Sequence, residues 1–216
     1  MNRLHRWYCG SASWRTSLER LVPWALADAV LGEHLLDLGP GSGLAMPLLA
    51  SRTPRVTAID LDSSALAAVR RSPSLSLVRG DATRLPFASG TFSAVLAFTM
   101  LHHIPTRELQ QQLFRDVLRT LRPGGVFVGL DARVSLGLRL FHLGDIWFPL
   151  SPDEAGPRLA SVGFEEIEIE CRPRFFRFCA RAPRATDMER ERQSSQLQAR
   201  FAPSPTGRHP LAIGTP

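Results

Sequence analysis

The chain has no lysine: all 26 of its basic residues are arginine. It has one tyrosine, Tyr8, and three cysteines, Cys9, Cys171 and Cys179, scattered and odd in number. That count excludes a disulfide framework, and without Cys-x-x-Cys spacing no zinc site or other metal site is expected. A reducing, cytoplasmic location is the expectation. No stretch approaches the roughly 18 apolar residues of a spanning helix, so no membrane span is expected. The first segment, "MNRLHRWYCGSASWRTSLERL", carries Arg and His every few residues without an apolar centre, which is unlike a secretory signal.

What is present suits one globular domain plus an appendage: 216 residues, 44% of them hydrophobic, suffice for a single core. A net charge of +6 invites a nucleic-acid partner, but its distribution argues against one. Residues 1–170 hold 17 Arg against 17 Asp plus Glu, whereas residues 171–216 hold 9 Arg against 3 acids. The excess therefore sits wholly in the last segment. With the abundance of Ala, Leu, Pro and Gly, the arginine-only usage reads as a GC-rich coding sequence rather than a basic face.

From Glu33 to Glu170, short apolar runs alternate with helix-period segments, the pattern of βαβ units and a mostly parallel sheet. Strands are expected at 34–39, 55–60, 75–80, 92–98 and 125–131. Helices are expected in "LAMPLLASR", in "SSALAAVRR" with Ser63 or Ser64 as N-cap, over 106–121 capped by Thr106, and near 152–162. Residues 133–150 read as an apolar, irregular segment. "FEEIEIECR" and "PRFFRFCARA" read as an antiparallel hairpin turning at Arg172 and Pro173. The expected organisation is an N-terminal helical and aromatic cap over 1–32, an α/β domain over 33–182 and an Arg/Pro-rich disordered tail over 183–216.

The string "LLDLGPGSG" carries the chemistry. Asp37 ends a strand, and Gly39, Gly41 and Gly43 follow before a helix, so the backbone can turn sharply and a ligand can lie against bare main chain. A dinucleotide fingerprint would need glycine at position 44, which is Leu44, and this disfavours a nicotinamide-dependent reductase.

In this string the sequence resembles the class I S-adenosylmethionine (SAM) dependent methyltransferases, whose first motif is an acid followed by G-x-G-x-G. Four further matches follow in order: Asp60 at the end of the second strand, "GDATRLPF" with Asp81, "FSAVLAFTMLHHI", and "LRPGGVF". The resemblance covers roughly Glu33 to Ala180. It implies a Rossmann-like, mostly parallel seven-stranded sheet with helices on both faces, SAM as cofactor, and methyl transfer to a small-molecule acceptor. It places the ribose on Asp60, the adenine amino group on Asp81 with the Ala82 N–H on a ring nitrogen, and the methionine ammonium on Asp37. Pro40, Leu61, Phe98 and Thr99 complete the expected cofactor contacts beside the three glycines.

Methyl transfer from a sulfonium needs alignment more than acid or base. His102, His103 and Asp131, at the ends of strands four and five, are the candidate bases. "FTML" stands where methyltransferases of planar amino groups carry an Asn-Pro-Pro-Tyr type sequence, which disfavours those acceptors. Ser93 stands where relatives commonly carry Asp. Trp7, Tyr8, Trp14 and Trp24, with Phe141, Trp147 and Phe148, are expected around a partly apolar acceptor. A SAM-binding or partner-binding module without catalysis is the alternative. "RFAPSPTG" (200–207) resembles the opening signature of glutamyl-tRNA synthetases, but too little chain follows for an adenylating domain, and no function is assigned to it.

Overall fold

Seven strands form one sheet at the centre of the computed structural model, which describes residues 7–27 and 29–184. In chain order the elements are α1 (Ala12–Leu26), β1 (His34–Leu38), α2 (Met46–Ala50), β2 (Arg55–Asp60), α3 (Ser63–Ala68), β3 (Leu75–Arg79) and β4 (Phe92–Phe98). After a 3-10 turn at Leu101–His103 come α4 (Arg107–Thr120), β5 (Leu121–Ala132), α5 (Leu136–Phe141), α6 (Pro152–Ala160), β6 (Glu165–Cys171) and β7 (Phe175–Arg181). Strand order is β3-β2-β1-β4-β5-β7-β6. The first five strands are parallel, and β7 runs antiparallel to both β5 and β6. This is the expected Rossmann-like sheet with its C-terminal hairpin.

The continuous apolar runs of β1, β4 and β5 are explained by burial on both faces. Successive side chains point to opposite sides of a strand. On one side Leu36, Val95 and Phe127 join Leu113, Phe114 and Val117 of α4 and Leu159 of α6. On the other, Leu35, Leu96 and Val128 join Leu18, Val22 and Leu26 of α1 and Leu49 of α2. α1 thus belongs to one of the two helical layers, although the sequence reading set residues 1–32 apart as a cap.

Close approaches fix the sheet's right half. Phe178 of β7 lies across Gly129 of β5, its register partner, where an added Cβ would stand 2.1 Å from the ring. Only glycine leaves room for that ring. Ser93 Oγ accepts from the His34 N–H (2.9 Å) and donates to the Leu31 carbonyl (2.7 Å), pinning the entry to β1 against β4. Its short hydroxyl thus has a structural task.

Several boundaries differ from the sequence reading. α2 and α3 are shorter, and the cap of α3 is Asp62, whose carboxylate accepts from the Ser64 N–H at 2.8 Å. β5 begins at Leu121, its register with β4 shifting between Phe92 and Ala94. α5 lies inside the segment read as irregular. The tail from Arg184 onward, with its "RFAPSPTG" segment, lies outside the described residues apart from Arg184 itself. Among the described residues, no helix is long and apolar enough to cross a membrane.

Candidate functional site

β1 leads rightward in sequence to β2 and β3 on one side, and β4 leads to β5 on the other, so the strand order reverses between β1 and β4. Open α/β sheets bind ligands at such a switch point, beyond the carboxyl ends of the strands. A cleft lies there. Its walls include seven of the expected cofactor-binding and base residues: Asp37, Gly39, Pro40, Gly41, Phe98, Thr99 and His103. Cys9, Trp14 and Leu18 wall it from the N-terminal side, together with Ser42, Leu44 and Ala45. Of the expected aromatics, Trp14 reaches the cleft. Trp24 does not: its indole N–H donates to Glu170 at 2.7 Å and its ring lies 4.2 Å from the Arg172 guanidinium carbon.

The glycine turn is tight. Gly43 N–H donates to the Pro40 carbonyl at 2.9 Å, and both Gly41 (φ 55°) and Gly43 (φ 71°) adopt left-handed backbone that side chains disfavour. Their surroundings differ. A Cβ on Gly43 would meet Val69 at 2.9 Å, whereas one on Gly41 would meet nothing within 4 Å. Gly43 is therefore a packing glycine, and Gly41 presents bare main chain to open space. Asp60 braces this turn: its carboxylate accepts from the Asp62 N–H (2.9 Å) and from the backbone of Gly41 and Leu61.

The cleft has one buried acid in its wall, whose proton a docking cation can replace. Asp37 is 3% exposed, and burial, then the nearby charge of Asp60, push its carboxyl up to about 8. Burial also raises Asp60. At neutral pH Asp37 therefore keeps its proton, and a cation docking beside it favours the ionised form and displaces that proton. The Cys9 thiol is pushed up by burial to about 11, so it stays a neutral wall group rather than a nucleophile.

Other expected contacts stand off the cleft. Asp81 is exposed and accepts from both the N–H and the hydroxyl of Thr83, each at 2.8 Å, while Ala82 beside it is buried. Leu61 is exposed after β2. A separate open depression is lined by Thr83, Arg84, Leu85, Gln112, Arg115, Asp116 and Arg119. Its Asp116 and Arg119 are bonded to each other and to backbone of the Leu85–Phe87 loop, which ties that loop to α4.

Beyond β4, Thr99 takes a left-handed φ of 51°, uncommon for a β-branched residue, while its N–H donates to the Leu130 carbonyl at 2.7 Å. The turn that follows holds the two histidines. His102 is buried, its Nδ1 is 2.5 Å from Asp131 Oδ1, and neither of these two candidates lines the cleft. His103 does. Sequence reading missed His142, which approaches this pair because the Phe148 N–H donates to the His102 carbonyl (2.8 Å) and Gln110 donates to the Leu101 and Phe148 carbonyls (both 2.9 Å). No local spacing could have signalled it.

A doubly wound sheet with a buried acid and a bare glycine turn at its switch point defines a nucleotide-binding α/β domain. Residues 36–129 match the methyltransferase domain family. An uncharacterized methyltransferase of Synechocystis sp. (sll0829) is 30% identical over 63% of this chain and 68% of its own length. The demethylmenaquinone methyltransferase of Beutenbergia cavernae is 37% identical over 51% of this chain and 47% of its own. Among solved structures, the N-methyltransferase NodS from Bradyrhizobium japonicum, in complex with S-adenosylhomocysteine, superposes with a TM-score of 0.65 at 18% identity, covering 82% of this chain and 91% of NodS. The chain belongs to the class I SAM-dependent methyltransferase family. It spans about half the length of several of the curated relatives it matches.

Proposed function

We propose that this chain binds SAM in the cleft over β1 and β4 and catalyses transfer of its methyl group to a small, partly apolar acceptor. The observation that carries the reading is the pairing of the buried, proton-holding Asp37 with the open backbone of Gly41. The residues fit the cofactor. Open space at Gly41 lets a ligand lie on main chain, and Asp37 offers a buried acceptor for an ammonium group. Asp60, already accepting from the turn, has carboxylate capacity left for ribose hydroxyls. Asp81 and Ala82 stand one strand further on, where an adenine edge would meet them.

When bound, SAM supplies a methyl carbon on a sulfonium, a very good leaving group. This chain's residues then have to align the acceptor and exclude water. Trp14, Leu18 and Phe98 give the cleft apolar walls for both tasks. His103, alone among the three sequence-derived base candidates in lining the cleft, is the one that would touch the acceptor, with Asp131 bonded to His102 behind it. The name of the demethylmenaquinone methyltransferase relative fits an acceptor with apolar surface. Three free thiols fit a cytoplasmic setting, and the balanced charge of residues 1–170 favours a small molecule over nucleic acid.

Calorimetry with SAM and S-adenosylhomocysteine tests the cofactor reading, and no binding at millimolar concentration would sink it. Incubation with methyl-labelled SAM and cell extract tests the activity. Label in an extractable small molecule is the expected result; binding without transfer would make the chain a SAM-binding module instead.

A further inference from the structure

His102, His103 and His142 converge beside the cleft, with one nitrogen of each within 4.8 Å of the others. Ring centroids of His102 and His103 are 4.2 Å apart, and those of His102 and His142 are 5.1 Å apart. Three imidazoles so close repel one another if protonated, and chance packing rarely assembles them from turns 40 residues apart.

Hydrogen bonds at Nδ1 decide which nitrogen keeps its lone pair. On His102 that atom faces Asp131 Oδ1 at 2.5 Å, and the same oxygen accepts from the Ala132 N–H at 2.8 Å, so the carboxylate is firmly placed. On His142 it faces the Leu138 carbonyl at 2.9 Å, and on His103 the Ile146 carbonyl at 3.4 Å. Carbonyls and carboxylates only accept, so each Nδ1 carries hydrogen and each lone pair sits on Nε2. His102, 4% exposed, has that Nε2 buried with no hydrogen-bond partner. A buried acceptor without a partner is costly unless something else uses its lone pair.

A carboxylate on one imidazole nitrogen with a metal ion on the other is the arrangement that fixes ring orientation at metal centres. Bonds of about 2.0–2.1 Å to a tetrahedral ion put ligand nitrogens about 3.4 Å apart, against the 4.8 Å within which one nitrogen of each histidine already lies. Trp147 stacks on His142 at 5.7 Å and shields that side from water.

We propose that His102, His103 and His142 bind one divalent ion of the zinc class, with Asp131 as the carboxylate that orients His102. Imidazole donors suit zinc and its neighbours better than magnesium or calcium. Three protein ligands leave a position for an outside donor, as in sites that act on substrates. His103 belongs to both the triad and the cleft wall, so an acceptor's oxygen or sulfur is the donor that reaches the ion. This last step rests on the methyltransferase reading; the ion site does not.

The test uses full-length, untagged protein stripped of metal. Titration with Co(II) should give the visible absorption of a four-coordinate ion at one equivalent per chain, displaced by Zn(II). Zinc-edge X-ray absorption should count three imidazoles. Substitutions His142→Gln and His103→Gln should each weaken Co(II) binding at least 100-fold, and Asp131→Asn should weaken it roughly 10- to 100-fold, while circular dichroism confirms folding. Absence of the cobalt spectrum, an imidazole count of two or fewer, or unchanged affinity in folded variants would overturn the proposal. SAM calorimetry on the same samples separates the two readings. Cobalt binding without SAM binding rejects the cofactor reading alone, and SAM binding without cobalt rejects the ion site alone.

Discussion

The negative charge of Asp60, at the end of β2, reaches Asp37 on the adjacent strand β1 and adds to burial in pushing the Asp37 carboxyl from 3.8 up to about 8. A cation docking at Asp37 must displace its proton over most of the neutral range. SAM affinity should therefore rise with pH up to about 8. It should fall beyond that as the ligand's own α-amino group, with a pKa of about 7.7–8.0, loses its charge. Calorimetry from pH 6 to 9, in buffers of different ionisation enthalpy, should also detect proton release below pH 8. A flat affinity profile would disprove the coupling.

The same shift sets how the ligand-free protein responds to pH. Below pH 3.8 both folded and unfolded chains hold the Asp37 proton, and the group is neutral in its effect. Between 3.8 and about 8 the folded chain keeps a proton that the unfolded chain releases, so stability declines as pH rises; above that window the cost is complete. Asp37→Asn should remove the slope. Relative to wild type, its thermal midpoint should rise between pH 5 and pH 9, although SAM binding is lost. A variant that loses ground at pH 9 would contradict this sign.

Asp60→Ala should weaken SAM binding by about 1.5–3 kcal/mol, the range for hydrogen bonds involving a charged group. It should also shift the pH of tightest binding downward, because Asp37 loses its negative neighbour. Calorimetry across the same pH range reads both effects, and a lower affinity with an unmoved optimum would separate ribose binding from the Asp37 coupling.

Gly41 and Gly43 should part company on mutation. Both substitutions to alanine strain a left-handed residue, at about 1–2 kcal/mol, but Gly43→Ala also drives a methyl group to 2.9 Å from Val69. Gly43→Ala should thus cost more thermal stability than Gly41→Ala, whose Cβ meets open space and whose main effect should be on SAM affinity. Paired melting and binding curves check the ordering.

Leu26→Ala should cost about 2–5 kcal/mol in denaturant unfolding, the range for a buried leucine in a filled core, because Leu26 is fully buried between α1 and the sheet. A loss below about 0.5 kcal/mol, ordinary for an exposed position, would mean that α1 is a detachable cap.

How far the sequence could be read depended on whether a signal was local. The strands from β1 to β4, the hairpin and the Thr106 cap each write themselves in a few neighbouring residues, and the structure has them within a residue or two. The glycine string and Asp37 likewise announce a turn and a buried acid. α1 escaped as part of a core layer because amphipathicity shows that a helix has a buried face, not which sheet covers it. The early start of β5 escaped because Pro123 and the glycines after it disguise its first residues as a loop. His142 was invisible for a third reason: its neighbours in space, His102 and His103, are 40 residues away in sequence, brought together by Gln110 and by backbone bonds to Phe148.

The docking of α1 on β4 and β5 also dictates an order of events during synthesis on the ribosome. Leu18, Val22 and Leu26 emerge early, yet the partners that bury them include Leu96, Val126 and Val128. About 100 residues separate Leu26 from Val126, so at 5–20 residues per second an oily helix waits on the order of 5–20 seconds for its cover. The nascent chain is most in need of a chaperone in that interval, before the strands of its own interior have been translated.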